Sequence, residues 1–235
     1  MTEKTPKEIF VDKIAEYFKN FGIISADSRL DLKKLEKFYV LYTELIEWNK
    51  KINITAITGE SEFIKRHIID SAFLFKIFDK RGKSVMDIGS GAGFPGIVLN
   101  ILNPALNIVS IESVLKKCNF QKNISRKLNL ENFKCLNLNI FSYKNYSESL
   151  DAITTRAAFN VNELINLIEK IDFNKSFDLY LFLSNLNEAK KIADFKYETK
   201  LIRLDRILFY KTDYSNIKNA KNGSRLIAKY TAAPK

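Results

Sequence analysis

Residues 86–96 read MDIGSGAGFPG, with four glycines falling within eight residues. Glycines at that density disfavour a helix or strand interior, because each retains backbone freedom that folding must remove. Ahead of them, Val85-Met-Asp-Ile88 is a short apolar run suited to a buried strand. Behind them, Pro95 is placed for the first turn of a helix, and Ile97, Val98, Ile101 and Leu102 continue it. A strand passing through a glycine turn into a helix presents free backbone N–H groups to a ligand. This feature commits the chain to an α/β fold.

The glycines admit two registers. Gly91, Gly93 and Gly96 match the dinucleotide fingerprint G-x-G-x-x-G, whereas Asp87, Gly89, Gly91 and Gly93 match an acid-led loop. Asp87 separates the two. A dinucleotide loop faces a pyrophosphate and gains nothing from a neighbouring carboxylate. S-adenosyl-L-methionine has no phosphate and carries an ammonium and a sulfonium, which an acid complements. Glu112 ends the next strand-like run, 25 residues after Asp87, where it can accept hydrogen bonds from both ribose hydroxyls. The sequence thus favours a methyl-donor loop of Asp87, Gly89, Ser90, Gly91 and Gly93, with Glu112, over a hydride-transfer site.

Before residue 80 the pattern is helical. Ile9, Phe10, Ile14, Tyr17, Phe18 and Phe21 recur at helical spacing ahead of Gly22. A second helix is predicted from Ser28, with Leu35, Phe38, Leu41, Tyr42, Leu45 and Trp48 on one face. A third is predicted over 60–78, ending near the Lys80-Arg-Gly82 turn. From Ser84, strands at 107–111, 133–138 and 150–154 alternate with helices at 114–128 and 161–170, before the apolar run Phe177–Leu183. Segments 197–209 and 224–231 read as strands closing the sheet antiparallel. The expected organisation is an N-terminal α-helical extension (1–80) and a Rossmann-like methyltransferase sheet with helices on both faces (81–235).

The net charge of +11 favours polyanionic partners, and residues 203–235 carry eight basic side chains against two acidic. A lysine-rich composition without that role would read the same way. No apolar run approaches the ~20 residues of a membrane span, so a cytoplasmic protein is expected. Cys118 and Cys135 have no CxxC pairing and no histidine company. Both are expected to be reduced packing residues, with no metal site.

Several segments together resemble one family, the bacterial methyltransferases that modify a guanine at N7 in small-subunit (16S) ribosomal RNA, also called the glucose-inhibited division protein B family. They are Trp48-Asn49 with Ile52-Asn-Ile-Thr55, Arg66-His67 with Asp70-Ser71, and Asp87 through Gly96. Glu112-Ser113 with Lys116-Lys117 and Phe120, Leu130-Glu-Asn132 and Thr155-Arg156-Ala157 follow in order. The resemblance covers residues 35–160 well and the last 75 loosely. It implies that Gly89 and Phe94 touch S-adenosyl-L-methionine, that Glu112 holds its ribose, and that Ile140 and Phe141 lie against its adenine. Arg156 is then the residue near donor and reacting base, while Arg66, His67, Lys116 and Lys117 face RNA. The implied partner is small-subunit ribosomal RNA or the 30S particle, met by a monomer. Two departures stand out. Asn139-Ile140-Phe141 replaces an Arg-Ala-Glu-like tripeptide, and Leu183-Ser184-Asn185 stands where a Lys-Gly pair is usual.

Each of these residues has a plainer reading. From pattern alone His67, the single histidine, is a satisfied structural residue on an amphipathic helix. The basic run Lys116, Lys117, Lys122, Arg126 and Lys127 reads equally as a solvated helix face or a phosphate track. Arg66 and Asp70 are spaced for an intrahelical ion pair. Guanine N7 already offers a lone pair, so methyl transfer to it requires alignment and no general base. Arg156 then either stabilises charge on the base or positions the ring. Two other functions fit the same pattern: a methyltransferase of another target, and an RNA-binding assembly factor that keeps the fold without turnover.

Overall fold

The computed structural model describes residues 3–23, 31–78, 83–142, 150–156, 158–171, 175–198, 200–211 and 224–234. Thr5 opens α1 (Pro6–Asn20) with a reciprocal cap, its hydroxyl accepting the Glu8 N–H while the Glu8 carboxylate accepts the Thr5 N–H. Helix α2 (Leu32–Asn49) starts behind Asp31, whose carboxylate accepts the Lys33 N–H. The start expected at Ser28 and the Lys80-Arg-Gly82 turn lie outside the described residues.

The third helical stretch is not one regular helix. It runs as α3 (Glu60–Phe63), a π-helical segment (Ile64–Ile69) and α4 (Asp70–Ile77). A π turn adds a residue to the helical repeat, which a 3.6-residue reading of apolar spacing cannot reveal. Arg66 and His67 sit inside that widened turn.

Then follow β1 (Ser84–Ile88), α5 (Gly96–Leu102), β2 (Asn107–Glu112), α6 (Leu115–Lys127), β3 (Phe133–Asn137) and a 3-10 turn (Ile140–Ser142). The chain continues through β4 (Ala152–Arg156), α7 (Val161–Lys170), β5 (Phe177–Leu183), α8 (Leu186–Asp194), β6 (Lys200–Lys211) and β7 (Ser224–Pro234). Helix α8 was not among the expected elements. Its apolar share is small, with Ala189 and Ile192 its buried residues, and Asn185 caps it through the Glu188 N–H.

The seven strands lie in the order β3-β2-β1-β4-β5-β7-β6. β1 to β5 pair in parallel, and β7 and β6 finish the sheet antiparallel. The strand order reverses between β1 and β4, which marks the crevice where open α/β sheets bind ligands. Alternation along β1 sorts the two faces. Val85 joins the cluster containing α1, α2, α4, α5 and α6 residues, whereas Met86 and Ile88 join the cluster with α7 and α8. The N-terminal helices therefore share a core with one sheet face, and Trp48 packs edge-on against Phe120 of α6. Among the described residues no helix is long and apolar enough to cross a membrane. Cys118 and Cys135 are buried and free of any disulfide.

Candidate active site

At the carboxyl ends of β1, β2 and β4 the structure opens a cleft of about 300 Å³. Gly89, Ser90, Gly91, Ala92 and Phe94 of the glycine loop line it, with Glu112 from the end of β2 and Arg156 from the end of β4. Lys117 of α6, His67 of the π segment, Ile54 and Thr55 of the loop after α2, and Ala158 just beyond β4 complete the wall. The sheet and the helical extension thus contribute to one site.

The glycine loop settles which register applies. Gly89, Gly91 and Gly93 have φ of 68°, 59° and 92°, the left-handed region that side chains disfavour, and Gly96 does not. That is the acid-led register. Gly96 is needed for another reason, since a Cβ there would stand 2.8 Å from Asp87 Oδ2. Its own N–H donates to that oxygen at 2.8 Å.

Asp87 lies wholly buried under the loop, and its second oxygen, Oδ1, has no hydrogen-bond partner among the described residues. Burial pushes its carboxyl up to about 7, opposed by the Gly96 N–H and the Arg156 charge and reinforced by Glu112. Glu112 is also buried. One of its oxygens accepts the Gly91 N–H at 2.8 Å and the other accepts the Val114 N–H at 2.8 Å. Two loop N–H groups that would cradle a phosphate are therefore committed to carboxylates.

A buried polar network, absent from the sequence reading, ties this loop down. Gln121 Nε2 donates to Ser90 Oγ and to the Gly91 carbonyl, both at 2.8 Å, while its Oε1 accepts Ser110 Oγ–H at 2.6 Å. The Ser110 hydrogen being used, Ser90 donates to Ser110 across 2.5 Å, which closes a ring of three hydrogen bonds. The available signal was a glutamine three residues after Cys118 and three before Ile124, on the apolar stripe of α6.

Opposite the loop, His67 lies flat on Phe94, with ring centroids 4.3 Å apart and planes inclined by 4°. Arg156 Nη2 approaches His67 Nδ1 at 2.9 Å, and Nη1 donates to the Arg66 carbonyl at 2.5 Å. The guanidinium carbon stands 5.6 Å from the Phe94 centroid.

The other expected site residues are spread more widely. Lys116 is exposed on α6 beside the cleft, and the Arg66 side chain pairs with Glu62 at 3.7 Å while Asp70 is fully buried. Ile140 is buried in the 3-10 turn, where Phe141 is 40% exposed and edge-on to Phe159 at 5.7 Å. Ser184 donates its N–H and hydroxyl to the Glu188 carboxylate at 2.8 and 2.5 Å, so a capping loop fills the place of the Lys-Gly pair.

Residues 33–212 match the family model described as GidB, rRNA small subunit methyltransferase G. The chain belongs to the GidB family. Among GidB relatives, the ribosomal RNA small subunit methyltransferase G of Geobacter sp. (strain M21) is 39% identical over 145 residues, 61% of this chain and 66% of the relative. The protein of that name from Clostridium tetani (strain Massachusetts / E88) is 32% identical over 189 residues, 77% of this chain and 78% of the relative. Matches to the first three relatives span 60 to 66% of those proteins' own length. A SAM dependent methyltransferase from Aquifex aeolicus shares the fold at a TM-score of 0.51 and 16% identity, over 80% of this chain and 98% of that one.

Proposed function

We propose that this protein transfers a methyl group from S-adenosyl-L-methionine to N7 of a guanine in small-subunit ribosomal RNA. One observation carries the choice of donor. The Gly91 and Gly96 N–H groups are held by Glu112 and Asp87, so the loop is lined for a ligand without phosphate. The site fits that donor in two further respects. Gly91 opens onto the cleft with no atom within 4 Å of where its Cβ would stand, leaving the main chain bare beside the ligand. Glu112 keeps acceptor capacity on both oxygens for a ribose diol.

When bound, the donor supplies an electrophilic methyl group on a cationic sulfur. The chain's part is alignment and exclusion of water. Phe94, backed by the His67 ring stacked on its face, lines the cleft where a purine can lie. Arg156, at the carboxyl end of β4, orients the guanine, and Lys117 at the rim meets the RNA backbone with Lys116 beside it. Ile140 and Phe141 take the adenine end of the donor. No side chain is asked to remove a proton. The GidB membership supports ribosomal RNA as substrate, and we place the reaction in the cytoplasm, with a monomer acting on the RNA or the 30S particle.

The test is transfer of labelled methyl groups to 16S RNA and to 30S particles that lack the modification. Label recovered as 7-methylguanosine is the expected product. Label at an adenine, in protein or in a small molecule contradicts the substrate, and RNA binding without donor binding favours an assembly factor.

A further inference from the structure

The loop after α2 is unusually well tied. Asn49 Oδ1 accepts the Ile54 and Thr55 N–H groups at 2.8 and 3.1 Å, and Asn49 Nδ2 donates to the Thr55 carbonyl at 3.0 Å. Thr55 Oγ1, which also accepts the Ile57 N–H at 3.1 Å, stands 3.3 Å from His67 Nε2. On the other side of the imidazole is the Arg156 guanidinium, 2.9 Å from Nδ1.

These contacts fix a protonation state. A guanidinium only donates, so Nδ1 must accept and carries no hydrogen. The ring's one hydrogen then sits on Nε2 and is donated to Thr55. Phe94 face-on and Phe63 edge-on at 5.6 Å hold the ring plane, and with it the direction of the Nδ1 lone pair. His67 is only 5% exposed, which suits support of a neighbour better than direct contact with RNA.

We propose that His67 is a positioning residue for Arg156: as the neutral Nε2–H tautomer, braced by Asn49 and Thr55 of the helical extension, it aims the guanidinium at the reacting base. The catalytic part of this statement rests on the proposed methyl transfer; the tautomer does not. Protonation of Nδ1 sets donor against donor, so Arg156 turns away and turnover falls as pH falls. The charged groups around His67 are Arg156 from β4, Glu112 from β2, Lys117 from α6 and Asp87 beneath the loop, with Glu62, Lys65, Arg66 and Asp70 on its own helical run. Asp87 titrates near 7 and can add its own limb to an activity profile, so the state of His67 must be read on the imidazole itself.

The single histidine makes that reading unambiguous, since every imidazole nitrogen signal in a 15N NMR spectrum of the full chain belongs to His67. At pH 7.5 the expected spectrum is a neutral ring protonated on Nε2. An Nδ1–H tautomer or an imidazolium overturns the proposal. Two variants test the consequence, each checked for folding by its melting transition. His67→Phe keeps the stack and removes the acceptor, and should lower kcat by about 10- to 100-fold, with donor Kd changed less than about threefold. His67→Asn places an oxygen where Nδ1 stands; it should recover at least about tenfold of that loss and abolish the acid limb that follows the imidazole signal. Unchanged kcat in His67→Phe, or an unchanged limb in His67→Asn, overturns the positioning role. Wild-type protein that shows the Nε2–H tautomer and methylates no RNA contradicts the proposed function instead.

Discussion

Gln121 donates to Ser90 at 2.8 Å from the buried stripe of α6, and through that bond the helix after Glu112 holds the glycine loop. Because Ser90, Ser110 and Gln121 satisfy one another in a closed ring, removing Gln121 takes a donor from Ser90 and an acceptor from Ser110 in the interior. Gln121→Leu should cost about 1–3 kcal/mol of stability in urea unfolding and loosen donor binding. Combining it with Ser90→Ala and Ser110→Ala should restore part of the stability, since neither hydroxyl is then stranded, while the Gly91 carbonyl still lacks its Gln121 donor and donor binding stays weak.

Two glycines of the same loop should fail differently. Gly91 has φ of 59° and faces open space, so Gly91→Ala carries roughly 1–2 kcal/mol of backbone strain and puts a methyl group into the cleft. Its main effect should appear as weaker donor binding in calorimetry. Gly96→Ala instead drives a Cβ to 2.8 Å from Asp87 Oδ2 and 3.1 Å from Ile108. It should cost about 1–3 kcal/mol in stability, read from the melting transition.

Asp87 should make stability fall as pH rises. With its carboxyl pushed up to about 7, the folded chain keeps a proton that the unfolded chain releases near 4. The stabilisation is complete below pH ~4 and is lost on the way to about 7, by at most roughly 4 kcal/mol from this group. Urea midpoints of Asp87→Asn should show a weaker decline over that range than those of the wild type.

Much of this architecture was legible because its elements are locally determined. The strand, glycine turn and helix at 84–102, the acid at Glu112 and the β4 end at Arg156 each follow from short-range pattern. The antiparallel pairing of β6 and β7 agrees with the strands expected at 197–209 and 224–231. The rest depends on long-range contacts. The π turn at Ile64–Ile69 leaves no periodic trace, so the placing of His67 on Phe94 could not be derived from spacing. The resemblance implies that His67 faces RNA, and its contact with Arg156 in the wall of the cleft is a further feature that spacing does not reveal. The Gln121 ring was equally hidden, because three segments far apart in sequence must meet before a buried glutamine has partners.

Everything proposed for the site depends on a carboxylate-lined loop that receives a cationic, phosphate-free ligand. Calorimetric titration of the full chain with S-adenosyl-L-methionine and with NAD, on wild type and Glu112→Gln, tests this most directly. Saturable binding of the first ligand only is expected, weakened about tenfold or more by Glu112→Gln. Absence of heat with S-adenosyl-L-methionine, equal binding of NAD, or indifference to Glu112→Gln would contradict it.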